Sequence, residues 1–282
     1  MPEGDSVWRA CAELHAALAG QKLTASDFRV PRFATLNLAG WTMEEVVPRG
    51  KHLLMRLRSP EDQRLTIHSH LKMEGSWQVY APGGRWRKPG FTARCVLRTA
   101  AADAVGFSLG ELEVIRTDQE DAAVGHLGPD ILGPDWDPAE AERRVRAAPA
   151  IPIGVALLDQ RNLAGIGNIY RCEACFLGGV HPATPVQDVA DLPALFVHAK
   201  QLMEANLGDA RRVTVPGPRG GALPRGGPDG RSRYWVYRRG NQPCLRCRTP
   251  IQHGLLGRPG GEEERDIWFC PRCQPLPATQ TD

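Results

Sequence analysis

Residues 158–170 read LDQRNLAGIGNIY, and no other stretch says as much about the C-terminal half of the chain. Gly165 and Gly167 carry no side chains, so the backbone there can come close to a phosphate. Asn168 adds hydrogen-bond donors where a helix over residues 168–176 is predicted to begin. An ordinary turn followed by a helix cap fits the same pattern, so the residues alone leave both interpretations open.

The spacing of apolar residues divides the chain into a strand-rich part and a helical part. Residues 5–19 have the periodicity of a helix, with Asp5 or Ser6 as the predicted N-cap. From about residue 23 to residue 117 short strand patterns alternate with turn residues, including a hairpin that turns at 48–51, and this is typical of a β-sandwich. The proline-rich stretch 126–138 indicates a connection, and helical patterns follow it to about residue 208.

The charge of the chain is concentrated rather than large. The 282 residues are 42% hydrophobic with a formal net charge of +3, which does not by itself indicate a nucleic acid partner. Residues 205–248, however, hold ten arginines opposed only by Asp209 and Asp229. Such a segment attracts phosphates, but a solvated arginine-rich loop fits equally well. Ten of the 21 residues from 213 to 233 are Gly or Pro, which predicts an irregular loop.

The start of the chain and its hydropathy bear on localisation. Acidic residues stand where a signal peptide needs basic ones, and no apolar run approaches the roughly 20 residues of a membrane span. We therefore expect a soluble cytoplasmic protein with no membrane partner.

Two cysteine pairs predict a metal site. Cys244 and Cys247 form one C-x2-C pair, Cys270 and Cys273 form another, and 22 residues separate the pairs. Four thiolates in two such turns suit tetrahedral zinc, which would hold folded a hairpin too small for its own core. A third pair, Cys172 and Cys175, lies inside a helical pattern and is predicted to be buried core.

Residues 2 and 3 carry groups that are capable of covalent and acid/base catalysis. Removal of the initiator methionine would leave Pro2 as a free secondary amine beside the carboxyl group of Glu3. An α-amino group has a pKa of about 7.7–8.0, so roughly a tenth of it is unprotonated at pH 7. Such an amine can attack C1′ of a sugar, while a neighbouring carboxylic acid transfers protons. Many proteins begin Met-Pro-Glu without any such role, so this motif is weak when taken alone.

Four motifs together resemble the formamidopyrimidine-DNA glycosylase / endonuclease VIII family, in that family's order and across nearly the whole chain. They are residues 2–5 (PEGD), residues 49–52 (RGKH), residues 158–170 and the cysteine pairs, with 159–170 the most specific. The resemblance implies an α+β fold in which an N-terminal β-sandwich joins a helical domain with a helix–two-turn–helix motif and a zinc-finger hairpin. We expect a catalytic domain at 1–125, a linker at 126–137, a helical domain at 138–240 with a mobile loop at 213–233, and a zinc finger and tail at 241–282.

The resemblance also implies roles for single residues. Pro2 would be the nucleophile, Glu3 the general acid/base, and Lys51 would lie close to the sugar and its phosphate. Asn168 and Arg265 would grip phosphates on either side of the lesion. The residues that follow Arg265 depart from the family's small hydroxyl residues, which leaves the detail of that grip open.

Residues 70–75 correspond to a loop that enters the DNA in this family. Lys72, Met73 and Glu74 belong to it, and Met73 has the length and flexibility of a wedge. Packing of Met73 in the core, with Lys72 and Glu74 as ordinary exposed charges, is the alternative. The neighbouring His68 and His70 are expected to satisfy core hydrogen bonds.

The resulting prediction is a bifunctional DNA glycosylase and abasic-site lyase of base excision repair. The damaged nucleotide would leave the stack, Pro2 would form a Schiff base at C1′, and β,δ-elimination would cut the strand. The motif at residues 2–5 and the context of Lys51 look more like the endonuclease VIII branch, which prefers oxidised pyrimidines. The predicted partner is damaged double-stranded DNA, bound by a monomer with one structural zinc ion. Two alternatives are a lyase restricted to abasic sites and a non-catalytic zinc-ribbon protein that binds damaged DNA.

Overall fold

The chain divides into two compact units, Met1–His126 and Leu127–Asp282. The computed structural model describes residues 2–208, 211–215, 233–258 and 264–276. Most of the predicted loop 213–233 therefore lies outside the described residues. None of the helices in the described ranges has both the length and the apolarity needed to cross a membrane.

Helices and strands are distributed unequally between the two units. The first unit contains helices α1 (Gly4–Leu18) and α2 (Glu120–Val124) and strands β1 (Ala25–Phe28), β2 (Thr42–Arg49), β3 (His52–Arg58), β4 (Arg64–His70), β5 (Ser76–Tyr80), β6 (Ala93–Arg98), β7 (Asp103–Phe107) and β8 (Glu111–Arg116). The second unit contains α3 (Pro138–Arg146), α4 (Ile153–Ala156), α5 (Asn168–Leu177), α6 (Leu192–Glu204), β9 (Gln252–Leu256) and β10 (Arg265–Phe269). This arrangement confirms the predicted α+β fold, with sheets first and helices afterwards.

Two four-stranded antiparallel sheets build the first unit. Their strand orders are β1-β6-β7-β5 and β2-β3-β4-β8. One core contains apolar side chains from both sheets and from α1, among them Leu14, Met55, Ile67 and Leu97. Burial of these side chains from water is the main force that holds the layers together. The predicted β-sandwich is thus observed, with α1 packed into its core.

The sequence patterns did not indicate strands β1 and β7. All five residues of β7 are buried, so the strand lacks the alternation of apolar and polar residues that marks a half-buried strand. Strand β1 is only four residues long and mostly polar. Strand β1 pairs with β6, and β7 pairs with both β6 and β5, and a local pattern cannot show such pairing.

Helix α1 begins earlier than predicted, and its cap differs. The N-cap residue is Glu3 rather than Asp5 or Ser6, and no side chain caps the helix there. Instead, the backbone carbonyl of Glu3 accepts hydrogen bonds from the N–H groups of Ser6 and Val7 at 2.9 and 3.1 Å. Asp5 is a buried residue of the first turn that forms a salt bridge with Arg9.

The second unit has two cores, one among its helices and one around the β9–β10 hairpin. Helix α5 contributes to both: Tyr170 and Cys175 pack among the helices, whereas Cys172 and Phe176 pack toward the hairpin. Both thiols are fully buried, as the sequence predicted, and burial raises the pKa of Cys175 to about 12. A thiol in such an environment stays protonated and unreactive at neutral pH.

Candidate functional site

Three chain segments that carry predicted site residues meet at one end of the strands in the β2-β3-β4-β8 sheet, the end at which Arg49, His52 and His70 lie. Strands β2 and β3 pair up to Arg49 and His52, so Gly50 and Lys51 form a two-residue hairpin loop. Gly50 has φ +59°, a conformation that favours glycine at the first position of such a turn. His52 then pairs with His70 on β4, which places the Lys51 turn beside the loop that follows β4.

Helix α1 runs antiparallel to β2, and this sets the direction in which Pro2 and Glu3 lie. After the helix, the Gly20 N–H bonds to the Met43 carbonyl at 2.8 Å. Farther back along the helix, the Val46 N–H donates to Nδ1 of His15 at 3.2 Å. The helix start is therefore directed toward the Lys51 end of β2. Glu3 is fully buried there and Pro2 is partly buried.

The loop from Leu71 to Gly75 has a fixed shape. It closes through a hydrogen bond of 2.9 Å from the Gly75 N–H to the Leu71 carbonyl, and a Cβ on residue 75 would overlap that carbonyl. At its start, the Lys72 N–H donates to Nδ1 of His70 at 2.9 Å, and Lys72 adopts φ +50°. Met73 is 63% exposed, so it is not a core residue. The alternative in which Met73 packs into the core is thereby excluded.

Lys72 is held against strand β8. Its ammonium group forms a salt bridge with the carboxylate of Glu111, and its aliphatic stem crosses Gly110 so closely that a Cβ there would overlap it. The salt bridge lowers the pKa of Glu111 against the opposing effect of burial. Glu74, in contrast, is an exposed loop residue.

Four histidines cluster at this end of the strands, namely His52, His68, His70 and His126. Nδ1 of His52 lies 2.8 Å from Nε2 of His68, and the rings of His70 and His126 stand edge-on to that of His52. Burial lowers the pKa of His52 to about 3 and that of His70 to about 4, so both rings are neutral at pH 7. Burial lowers the pKa of His68 as well.

These lowered pKa values predict a pH dependence of stability. Between pH 6.5 and about 4 the unfolded chain binds protons that native His52 and His70 do not, so the free energy of unfolding should fall as pH decreases. We expect the pair to contribute roughly 1–2 kcal/mol of the loss between pH 7.5 and 5, after allowance for solvent screening. Urea unfolding of the wild type and a His52→Gln/His70→Gln variant at both pH values measures it. An equal loss in the two proteins would rule out this origin.

The turn before α5 is organised by a side chain that the sequence did not single out. Gln160 accepts a hydrogen bond from the Gly165 N–H at 3.0 Å and donates to the carbonyls of Leu158 and Ile166 at 2.7 and 3.0 Å. Gly165 has φ +107°, which explains the glycine at this position. Residues 158–167 thus form a closed turn, and helix α5 begins directly after it at Asn168.

Asn168 lies next to the strand that begins with Arg265. Its Nδ2 donates to the backbone carbonyl of Asp266 at 3.0 Å, and its Oδ1 accepts from the guanidinium group of Arg171. Arg171 is fully buried and also donates to the carbonyls of Asp266 and Gly154 at 2.9 and 3.2 Å. Arg265 itself is exposed. Asn168 is therefore bonded to the residue that follows Arg265, and the buried Arg171 bonds both Asn168 and that residue.

Glu173 is a second buried charge on α5, and sequence analysis missed it as well. Its carboxylate accepts hydrogen bonds from three consecutive backbone N–H groups, those of Trp235, Val236 and Tyr237, at 2.8–2.9 Å. It also accepts one from the hydroxyl of Thr214. In the sequence, Arg171 and Glu173 look like solvent-exposed helix residues, because the groups that bond them lie far away along the chain.

Removal of this carboxylate should be costly. A Glu173→Ala variant leaves two buried N–H groups and one partly buried N–H group without an acceptor, and we expect a loss of about 3 kcal/mol or more in the free energy of unfolding. Glu173→Gln, which keeps one oxygen acceptor, should lose less. Urea unfolding checks both variants, with Glu13→Ala on the exposed face of α1 as the control. A Glu173→Ala variant as stable as that control would contradict the prediction.

The four predicted zinc ligands come together. The sulfur atoms of Cys244, Cys247, Cys270 and Cys273 all lie within 4.8 Å of one another, and two of the pairs are separated by 3.9 and 3.4 Å. Bonds of about 2.3 Å from tetrahedral zinc place sulfur atoms about 3.8 Å apart, so the residues fit the ion. The backbone N–H groups of Arg246 and Cys273 point at sulfur atoms, which favours thiolates.

Several arginines of the basic segment have structural partners. Arg246 lies over the rings of Phe176 and Trp235 at 4.6 and 5.3 Å from their centroids, and Arg212 lies over Tyr170 at 5.1 Å. The buried Arg239 donates to the carbonyls of Trp235 and Pro243. The count of ten arginines therefore overstates the charge available to a phosphate backbone.

Comparison with known proteins agrees with this geometry. The family model described as the formamidopyrimidine-DNA glycosylase N-terminal domain matches residues 1–119, and that of the H2TH domain matches residues 127–214. A Streptomyces coelicolor protein named "Probable endonuclease 8 2" is 51% identical over 99% of this chain and 95% of its own length. The "DNA-(apurinic or apyrimidinic site) lyase Nei2" of Mycolicibacterium smegmatis is 42% identical over 97% of this chain and 99% of its own.

A solved structure supports the fold. The formamidopyrimidine-DNA glycosylase of Lactococcus lactis, non-covalently bound to DNA that contains an abasic site, superposes with a TM-score of 0.75 at 24% identity, over 97% of this chain and 100% of that one. Family models match both parts of the chain, and endonuclease 8 relatives are up to 51% identical to it over nearly its whole length. The chain therefore belongs to the formamidopyrimidine-DNA glycosylase / endonuclease VIII family, on the endonuclease VIII-like branch.

Proposed function

We propose that this protein is a bifunctional DNA glycosylase and abasic-site lyase of base excision repair. One observation carries the proposal: the family's catalytic N-terminal domain spans residues 1–119, and within it α1 directs Pro2 and Glu3 toward the Lys51 end of β2. Several groups that can act on one nucleotide therefore belong to one end of the sandwich.

The chemistry assigned to the first unit begins with a nucleotide that has left the stack, since C1′ cannot be reached within it. The Pro2 nitrogen attacks C1′, the bond from C1′ to the base breaks, and the base departs with the electron pair. Glu3, buried beside Pro2, donates a proton as the sugar ring opens and an iminium forms. Loss of a proton from C2′ then expels the 3′ phosphate, and a further elimination expels the 5′ phosphate. Lys51 stabilises the negative charge of the adjacent phosphate.

Binding of damaged double-stranded DNA involves both units. The exposed Met73 on its closed loop would fill the gap left by the flipped base, with Lys72 and Glu74 on either side. Asn168 and the exposed Arg265 would contact phosphates. One zinc ion held by Cys244, Cys247, Cys270 and Cys273 would keep the strand that carries Arg265 folded, without taking part in the reaction. In this proposal the protein acts as a monomer, and its preferred lesions are oxidised pyrimidines.

A second candidate is a lyase restricted to abasic sites, because the name of the Mycolicibacterium smegmatis relative mentions a lyase and no glycosylase. Borohydride trapping separates the two. Oligonucleotides with thymine glycol, dihydrouracil, an oxidised purine or an abasic site are incubated with the protein and reduced. Trapping on a pyrimidine lesion supports the glycosylase, trapping on abasic DNA alone supports the lyase, and no trapping on any of them refutes both.

A Glu3→Gln variant should divide the two activities. Base removal requires a proton donor, whereas an abasic sugar already opens to an aldehyde that Pro2 can attack. We expect excision to fall about 100-fold or more and abasic cutting to fall at most about tenfold. Single-turnover rates on a lesion and on abasic DNA measure the two effects, with Glu13→Gln as the control. An equal loss on both substrates would show that Glu3 does not have this role.

A further inference from the structure

We propose that His52, His68 and Glu111 form a binding site for a divalent transition metal ion such as Zn²⁺, separate from the four-cysteine site. One nitrogen of each histidine and one carboxylate oxygen lie within 4.8 Å of one another. The residues belong to the three neighbouring strands β3, β4 and β8, where His52 pairs with His70 and His70 pairs with Glu111. A sheet therefore holds the candidate ligands, which limits their freedom before any ion binds.

The donor atoms suit zinc rather than magnesium or calcium. Two imidazole nitrogens with one carboxylate oxygen is a ligand set that zinc accepts, with a solvent molecule in the fourth position. The 2.8 Å between the facing nitrogens would have to open to about 3.3 Å, the separation that bonds of about 2.0–2.1 Å give at a tetrahedral ion.

His68 is buried with one polar atom unsatisfied. The residue is only 4% exposed, and its Nδ1 has no hydrogen-bond partner among the described residues. Nε2 of the same ring faces Nδ1 of His52 and is the atom assigned to the ion, so Nδ1 would carry the ring proton when the ion is bound.

Lys72 competes with the metal for Glu111. Its ammonium group now neutralises that carboxylate, but the side chains of Lys72 and Glu111 are 52% and 41% exposed. An ion pair this open to solvent is worth about 0–1 kcal/mol, less than a metal–ligand bond. Metal binding would therefore release Lys72 from β8. This release would alter the loop that carries Met73 and so its contact with DNA, a consequence that rests on the proposed function. The metal site itself does not rest on that function.

Calorimetric titration with ZnCl₂ tests the site, on full-length protein whose cysteine site is already filled. The wild type should take up a second equivalent of zinc. Glu111→Gln, a partly exposed and isosteric change, should weaken that step at least about tenfold, and His52→Gln should weaken it as much or more. Lys72→Met removes the competing cation and should strengthen it several-fold. His198→Gln on α6, which removes one histidine from the other unit, is the matched control and should bind as the wild type does.

The outcomes are distinct. A wild type without a second zinc equivalent overturns the site, and so does a Glu111→Gln variant that binds this equivalent as tightly as the wild type. An unchanged affinity in Lys72→Met overturns the competition between the lysine and the ion. None of these measurements involves DNA, so they are independent of whether the protein proves to be a glycosylase.

Discussion

A protein that retains one extra residue in front of Pro2 is expected to lose imine formation and strand cutting. The nitrogen of an internal proline belongs to an amide, whose electron pair is delocalised into the carbonyl group, so it cannot attack C1′. Removal of an enzyme's nucleophile typically costs three or more orders of magnitude in rate, and we expect a loss of that size on abasic DNA. Borohydride trapping and single-turnover cutting are the measurements.

The matched control is a removable tag whose cleavage regenerates Pro2 as the first residue. Before cleavage the protein should still bind abasic DNA, because Asn168 and Arg265, two of the residues assigned to phosphate contacts, are in the other unit. After cleavage both trapping and cutting should return. A tagged protein that cuts abasic DNA at the rate of the released protein would show that another group is the nucleophile.

The second large effect is expected at the cysteine site. A Cys270→Ser variant replaces a buried sulfur that lies 3.4 Å from the sulfur of Cys247, and three remaining thiolates hold zinc much more weakly. Since Cys270 is also part of the core formed by α5 and the hairpin, loss of the ion should unfold β9 and β10. We expect zinc to be absent from the purified variant and the affinity for abasic DNA to fall about 10- to 100-fold.

Zinc content by atomic absorption and DNA affinity by fluorescence anisotropy measure these effects. Cys172→Ala is the matched control: it removes a buried thiol from the same core but leaves the four-sulfur site intact. That variant should retain its zinc and most of its affinity. A Cys270→Ser protein that has lost zinc but binds DNA as the wild type does would separate the metal from DNA binding.

Sequence patterns were informative where structure is local. The spacing of the cysteine pairs predicted the cluster of four sulfur atoms, and the residues around Gly50 predicted the hairpin that carries Lys51. The order of a strand-rich part before a helical part followed from the change of apolar periodicity along the chain. In each case the interacting residues are neighbours in sequence or belong to one repeated pattern.

Contacts between residues that are far apart in sequence could not be predicted from the sequence pattern. The cluster of His52, His68 and Glu111 exists because β3, β4 and β8 pair in one register, which no single strand reveals. Arg171 and Glu173 look like solvated helix residues until the segments that bury them are in place. The assignment of Asp5 or Ser6 as the cap failed because both lie within α1, whose first turn is bonded to the Glu3 backbone.

The carboxylate of Glu173 bears on how this protein can be re-engineered. It bonds Thr214 on one side and Trp235 on the other, and the Thr214 N–H bonds the Arg233 carbonyl at 2.8 Å. The two ends of the intervening stretch are thus fastened to one helix, independently of what lies between them. Since doubling the length of a connecting segment costs only about 0.6 kcal/mol in closure entropy, we expect these two anchors to tolerate a change in the number of residues between Val215 and Arg233. Segments of other lengths, grafted from relatives, should therefore be accepted there while the helix that holds both anchors is preserved.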